Sequence, residues 1–442
     1  MSATKRPRLS VIGTGYLGAT HAVCMTELGF DVIGMDVDID KIAKLGSGEV
    51  PFFEPGLAEL LRKNLDTGRL TFTTSFADVA DFADVHFVCV GTPQKKGEYA
   101  ADLSYVDAAF AGLAPHLRRR ALVVGKSTVP AGTAARLADL LTSRAPSPEV
   151  ELAWNPEFLR EGFAVEDTLR PDRLVFGVRS GWAEQQLRAA FAPVIDAGTP
   201  VLITDFATAE LVKVAANSFL ATKISFINAM AEVCEAAHAD VTMLAEALGY
   251  DDRIGRKFLN AGLGFGGGCL PKDIRAFIAR AGELGVDQAL TFLKNVDEIN
   301  TRRRQRVVDL ALELVDGSLA GRKVCVLGAA FKPNSDDIRD SPALDVAENV
   351  QRCGADVVVY DPAATDNARR AYPGLVYAGS AQEAAREADL VLLLTEWAEF
   401  REIDPSALRQ VVARPRIVDG RNCLDPTVWR AAGWTYRALG RP

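Results

Sequence analysis

Leu9-Ser10-Val11-Ile12-Gly13-Thr14-Gly15-Tyr16-Leu17-Gly18 decides how the chain folds. A short apolar run reads as a strand, three glycines at the G-x-G-x-x-G spacing as a tight loop, and the stretch to about Leu28 as a helix. Asp31-Val32-Ile33-Gly34-Met35-Asp36 follows as a second strand that ends on an acid. In that context Gly13 permits the turn, Gly15 lets a pyrophosphate reach the backbone, and Gly18 lets helix and strand pack closely. The helix head near Tyr16 and Leu17 then presents unpaired N–H groups to phosphate.

Working outward, Val85 to Val90 and Ala121 to Val124 read as further strands, each ending in a polar loop. Strands separated by helical stretches imply βαβ units and a parallel sheet. The last third repeats this order at Lys323 to Gly328, Ala355 to Asp361, Ala388 to Leu394 and Arg416 to Asp419. Between them no convincing strand occurs, and Phe206 to His238 reads as one long helix with few charges. Such a helix is buried, either in a core or at a subunit interface. The expected fold is therefore α/β: two Rossmann-like doubly wound domains joined by a central all-helical segment. The expected boundaries are 1–204, 205–302 and 303–442, and the central helix favours a homodimer or higher homo-oligomer.

Composition narrows the function. A length of 442 residues fits about three folding units at ~150 residues each. With 48% apolar and 24% charged residues the chain is not disordered, and a net charge of -8 argues against nucleic acid as a partner. Seven cysteines form no C-x-x-C pair, and His21, His86, His116 and His238 show no metal-ligand spacing, so no metal is expected. No apolar run approaches the ~18 residues of a membrane span. The basic stretch Met1 to Arg8 runs into residues broken by glycines rather than a signal-peptide core, and a cytoplasmic location is expected.

Asp36 would accept ribose hydroxyls and repel a 2′-phosphate, which points to NAD rather than NADP. Lys41, one helical turn on, reads as an adenosine contact or as a solvated surface lysine. Thr92 in Gly91-Thr92-Pro93 and Thr128 in Ser127-Thr128-Val129-Pro130 lie at strand ends, where open α/β sheets bind ligands. The loop Gly328-Ala329-Ala330-Phe331-Lys332-Pro333 lacks the glycine fingerprint, which suggests a mononucleotide or phosphate site.

Five glycines in Gly262-Leu263-Gly264-Phe265-Gly266-Gly267-Gly268 lead to Cys269, with Lys272 and Asp273 following. Lys272 and a helix N-terminus would lower the pKa of Cys269 and make it a nucleophile. Cys24, Cys89, Cys234, Cys325 and Cys353 read instead as small buried hydrophobes. Lys213 and Asn217, four apart, share a helix face and form a paired donor set suited to an oxyanion, with a snorkelling lysine as the ordinary alternative. Glu157 and Glu161, in Asn155-Pro156-Glu157-Phe158-Leu159-Arg160-Glu161-Gly162, read by themselves as solvated carboxylates.

Together with Glu54-Pro55-Gly56-Leu57, Arg253-Ile254-Gly255, Arg339 and Asp419-Gly420-Arg421, these motifs resemble the UDP-glucose/GDP-mannose dehydrogenase family from end to end. Asn155 to Phe158 is similar to the UDP-glucose branch rather than the N-acetylated-sugar branches. Gly268 and Ser335 depart from the common Ser and Thr. The resemblance implies oxidation of a nucleotide-sugar C6 alcohol by two NAD, through a thiohemiacetal and a thioester on Cys269. It implies oxyanion stabilisation by Lys213 and Asn217, proton transfer assisted by Asp273, and hydrolysis with Glu157 as base. Thr128 would hold the catalytic water and nicotinamide. Substrate contacts would be Glu157, Phe158, Leu159, Arg160, Lys213, Asn217, Arg253, Asn260, Gly262, Gly266, Phe331, Lys332 and Arg421; NAD contacts would add Glu161, Lys272 and Arg339. Competing readings are the same chemistry on another nucleotide sugar (TDP-glucose or GDP-mannose), a two-electron alcohol dehydrogenase that uses Lys213 and Asn217 with a structural Cys269, and a catalytically silent nucleotide sensor.

Overall fold

The computed structural model describes residues 6–442, which divide into two units. The first comprises the chain to Ala216 with Arg275–Leu284, and the second Asn217–Ile274 with Gly285–Pro442.

The first unit holds β1 (Leu9–Ile12), β2 (Val32–Met35), β3 (Leu70–Thr73), β4 (Val85–Val88), β5 (Ala121–Gly125), β6 (Val150–Trp154), β7 (Leu174–Gly177) and β8 (Val201–Thr204). They line up as β3-β2-β1-β4-β5-β6-β7-β8, parallel except where β6 meets β7 at Trp154 and Gly177. The strand order reverses between β1 and β4, the switch point at which such sheets bind ligands. Strands β1, β2, β4 and β5 are buried on both faces, which is why they are continuous apolar runs. The helix Tyr16–Glu27 lies close on the sheet: a Cβ at Gly18 would sit 1.8 Å from the Gly13 carbonyl oxygen.

The second unit holds β9 (Lys323–Leu327), β10 (Asp356–Tyr360), β11 (Val376–Tyr377), β12 (Leu390–Leu393), β13 (Arg416–Asp419) and β14 (Thr435–Ala438). Their order, β11-β10-β9-β12-β13-β14, repeats the first six strands of the other sheet. The α/β reading with two Rossmann-like sheets therefore holds. The sequence reading did not resolve β3, β7, β8, β11 and β14.

Among the described residues no strand falls between β8 and β9. The long helix spans Phe206–Ala237 and is not covered on all sides: Phe219, Phe226 and Val233, seven apart, are 66%, 48% and 57% exposed. Cys24, Cys89, Cys234 and Cys325 are buried as expected, but Cys353 is exposed, because it caps the C-terminus of the surface helix Pro342–Arg352. No helix among the described residues is long and apolar enough to cross a membrane.

The loops after β1 and β9 are closed by the same device. Asp36 accepts from Thr14 N at 2.9 Å, and Asp361 accepts from Ala329 N and Ala330 N at 2.7 and 2.9 Å. Asp361 also accepts from Ala363 N, Ala364 N and the Trp397 indole N–H. Asp361→Ala would strand several buried donors, each worth about 1–3 kcal/mol. We expect a stability loss of roughly 3 kcal/mol or more in urea unfolding of the second unit. Asp361→Asn should lose less.

Candidate active site

In the first unit, the helix Tyr16–Glu27 starts without a side-chain cap at Gly15, and a Cβ there would meet nothing within 4 Å. Free N–H groups under open space are what a pyrophosphate needs. Asp36 stands at the end of β2, 8% exposed, and Lys41 Nζ lies 2.9 Å from its Oδ2. Burial pushes this carboxyl up. The Lys41 ammonium and the Asp38 and Thr14 N–H groups more than offset that, and hold it below the ordinary aspartate range. The residues fit NAD. Lys41, left between two readings by the sequence, is bound to Asp36 rather than merely solvated.

Beyond β4 and β5 the two threonines meet: Thr92 Oγ1 donates to the Thr128 carbonyl at 2.8 Å. Glu210 accepts from Gly132 N and Ala134 N at 2.7 and 2.6 Å, which fixes the far end of that loop to the long helix. Burial raises the Glu210 carboxyl above the ordinary glutamate range.

After β6, Glu157 is not a solvated carboxylate. Its Oε1 lies 3.2 Å from Lys213 Nζ, and its Oε2 accepts from Leu159 N at 2.8 Å. Lys213 also stands 5.5 Å over the Phe158 ring. Arg160 turns its exposed guanidinium onto Asp167, with hydrogen bonds of 2.9 and 2.6 Å. Two residues given no role from sequence organise this loop. Glu54 accepts from the Tyr16 hydroxyl and from Gly162 N and Ala164 N, the latter two at 2.7 Å, tying the helix head to the Glu161-Gly162 turn. Lys126 donates to Asn155 Oδ1 at 2.9 Å. The signal for it was a lysine directly ending the apolar run Ala121 to Gly125.

In the second unit, Cys269 is exposed and immediately precedes the helix Leu270–Glu283, where its carbonyl accepts from Asp273 N at 3.0 Å. The helix-head setting is as the sequence implied. The Lys272 ammonium lies 2.5 Å from Asp273 Oδ1. Asn217 Nδ2 reaches Asp273 Oδ2 at 2.6 Å. In this structure Lys213 meets the Glu157 carboxylate and Asn217 the Asp273 carboxylate.

The glycine run is held by side chains of the same unit. Asn228 Oδ1 accepts from Gly262 N, and Asn300 Oδ1 from Phe265 N. Arg421 binds three carbonyls, of Gly264, Phe331 and Leu394, at 2.9, 3.1 and 2.8 Å. Lys332 lies 5.5 Å over the Phe331 ring, and Asn260 Oδ1 accepts from Arg256. A Cβ at Gly266 would fall 2.1 Å from the Asp340 carbonyl oxygen, and one at Gly268 2.3 Å from the Arg339 guanidinium carbon. Arg339 is forked onto Asp337, and Arg253, 88% exposed in its side chain, onto Asp251.

Comparison with known proteins follows the same division. The chain matches the UDP-glucose/GDP-mannose dehydrogenase family in its NAD binding domain at residues 7–195, its central domain at 207–302 and its UDP binding domain at 325–426. A UDP-glucose 6-dehydrogenase of Rhizobium meliloti is 41% identical over 437 residues, covering 98% of this chain and 100% of that protein. One from Bacillus subtilis is 40% identical, covering 98% and 97%. A solved UDP-glucose dehydrogenase from the archaeon Pyrobaculum islandicum superposes with a TM-score of 0.92 at 37% identity, over 100% and 99% of the two chains. A glycine loop ending in an exposed cysteine, a dinucleotide-type helix head and a likeness that runs the whole length have one common explanation: the chain belongs to the UDP-glucose/GDP-mannose dehydrogenase family.

Proposed function

We propose that the protein is a UDP-glucose 6-dehydrogenase that uses NAD to oxidise the C6 alcohol of UDP-glucose to the carboxylate of UDP-glucuronate. The observation that carries this is Cys269, exposed at the head of a helix and one turn from an Asp273 already held by Asn217 and Lys272. NAD, when bound, takes one hydride from C6 at each of two oxidations.

Lys213 and Asn217 stabilise the alkoxide that precedes the first hydride loss. The Cys269 thiolate then adds to the aldehyde carbon; a C–S bond forms, and the carbonyl pair moves to oxygen, which takes a proton. The adduct restores the C–H bond from which the second hydride leaves, and the product is a thioester on Cys269. Glu157 takes a proton from water, which attacks the acyl carbon; the C–S bond breaks and the thiolate departs. Asp273 assists proton transfer, and Thr128 holds the water and nicotinamide. One alcohol, one water and two NAD yield one carboxylate, two NADH and three protons.

Phe158, Leu159, Arg160, Arg253, Asn260, Phe331, Lys332 and Arg421, with Gly262 and Gly266, hold the nucleotide sugar in this reading. Glu161, Lys272 and Arg339 hold NAD. The segments 1–204, 205–302 and 303–442 serve as the NAD, helical dimerisation and nucleotide-sugar domains, and the exposed Phe219-Phe226-Val233 stripe pairs with a second copy.

The wild type should release two NADH per UDP-glucose; one would restore the two-electron reading, and none the silent sensor. Cys269→Ser should lose steady-state turnover by about 10³-fold or more, the scale for an activated nucleophile. Its first hydride transfer should survive in part, and mass spectrometry should show a trapped adduct. Near wild-type release of two NADH by this variant would exclude the thioester.

Cofactor choice is checked by kcat/KM. Repulsion of a 2′-phosphate by Asp36, a few kcal/mol at an effective dielectric of ~20, should favour NAD over NADP by at least about 100-fold. Comparable values would overturn the role of Asp36. For assembly, Phe219→Asp with Phe226→Asp should give a monomer by light scattering at micromolar concentration where the wild type is dimeric or larger.

A further inference from the structure

We infer that Lys126 is a positioning residue for the hydrolytic step, acting through Asn155 on the turn that carries Glu157. Lys126 follows β5 directly and is 6% exposed. Its Nζ donates to Asn155 Oδ1 at 2.9 Å and lies 3.5 Å from the Asn155 carbonyl oxygen. Asn155 is itself 1% exposed, with its N bonded to Gly125 O at 2.8 Å and its Nδ2 to Val175 O at 3.0 Å. Pro156 separates it from Glu157, whose carboxylate meets Lys213.

Structural need alone does not account for this lysine. Among the described residues its ammonium forms no ion pair; it sits 5.9 and 5.7 Å from the Phe87 and Phe191 ring centroids. Burying an ammonium this way costs stability, and an apolar side chain of the same length would avoid that cost in exchange for leaving one acceptor, Asn155 Oδ1, without its donor. Burial holds the amine below the ordinary lysine range, and Cys89, Glu157, Lys213 and His21 are titratable groups that face it. What the lysine adds is a directed donor from β5 to the turn after β6. That donor fixes the Asn155 side chain, and Pro156 passes the constraint to Glu157 with little slack, because its ring locks φ. A base that must take a proton from a water beside an acyl carbon is sensitive to small displacements.

The inference rests on the reading of Glu157 as the hydrolytic base. The test uses full-length enzyme with NAD and UDP-glucose, and Lys126→Met. We expect a folded enzyme with at most a modest change in Tm, KM values that fall along with kcat, and an intact first burst of NADH. The steady-state rate should fall by about 10- to 100-fold, with acyl-enzyme accumulating by mass spectrometry. Asn155→Ala should give the same split, and the double variant no further loss, because both act along one connection. Wild-type turnover by either variant, or equal loss of burst and steady state, would overturn the inference. So would the two single losses multiplying. If Lys126→Met fails to fold, Asn155→Ala alone decides by the same criteria. Glu157→Gln separates the two readings. If it accumulates acyl-enzyme while the Lys126 and Asn155 variants do not, only the positioning role fails. If it does not accumulate acyl-enzyme, Glu157 is not the base.

Discussion

Backbone N–H groups buried in the loop after the first strand of each sheet must find an acceptor, and in both sheets a single aspartate at the end of the second strand provides it. Asp36 and Asp361 are the same answer given twice, and they differ in what remains afterwards. Asp36 has two backbone donors and the Lys41 ammonium at its rim. Asp361 has four backbone donors and an indole, and is saturated. One strand–loop–helix unit is thereby closed partly by side chains, the Thr14 hydroxyl and the Lys41 ammonium, and its copy mostly by its own backbone.

The same rule governs the reacting groups. A buried carboxylate is tolerable only with donors around it, and each acid assigned a role comes with its own. Glu157 has Lys213 and Leu159 N, and Asp273 has Asn217 and Lys272. Such groups are oriented before any substrate arrives, which is the condition under which electrostatic stabilisation is effective. They also tie the long helix to its surroundings, through Lys213 to the loop of Glu157 and through Asn217 to the first turn of the helix Leu270–Glu283, so residues proposed for the chemistry are structural ties as well.

The fold was legible because interior parallel strands are buried on both faces and so write unbroken apolar runs. The strands that escaped were mostly short and half exposed, as β3, β8, β11 and β14 are. The position of Cys269 at a helix head could be read from glycines before it and a helix pattern after it. The contact of Lys272 with Asp273 could not, since which neighbour a flexible ammonium meets is a rotamer decision. Glu54 and Lys126 stayed without roles for a related reason: their partners lie about a hundred and about thirty residues away, and local spacing carries no trace of them. Cys353 was misread because its type is usually buried, whereas its place is a helix terminus at the surface.

The glycine run before Cys269 has a bearing on engineering. At Gly262 and Gly266 a side chain would strike main-chain oxygens, of Gly420 and Asp340, which cannot move aside as a flexible side chain would. The run is a space constraint more than a hinge. A combinatorial library built to change which sugar the enzyme accepts would lose most of its members to misfolding if it randomised this loop. Diversity placed at exposed Arg253, Lys257 and Asn260, on the approach to the run, would leave the scaffold intact.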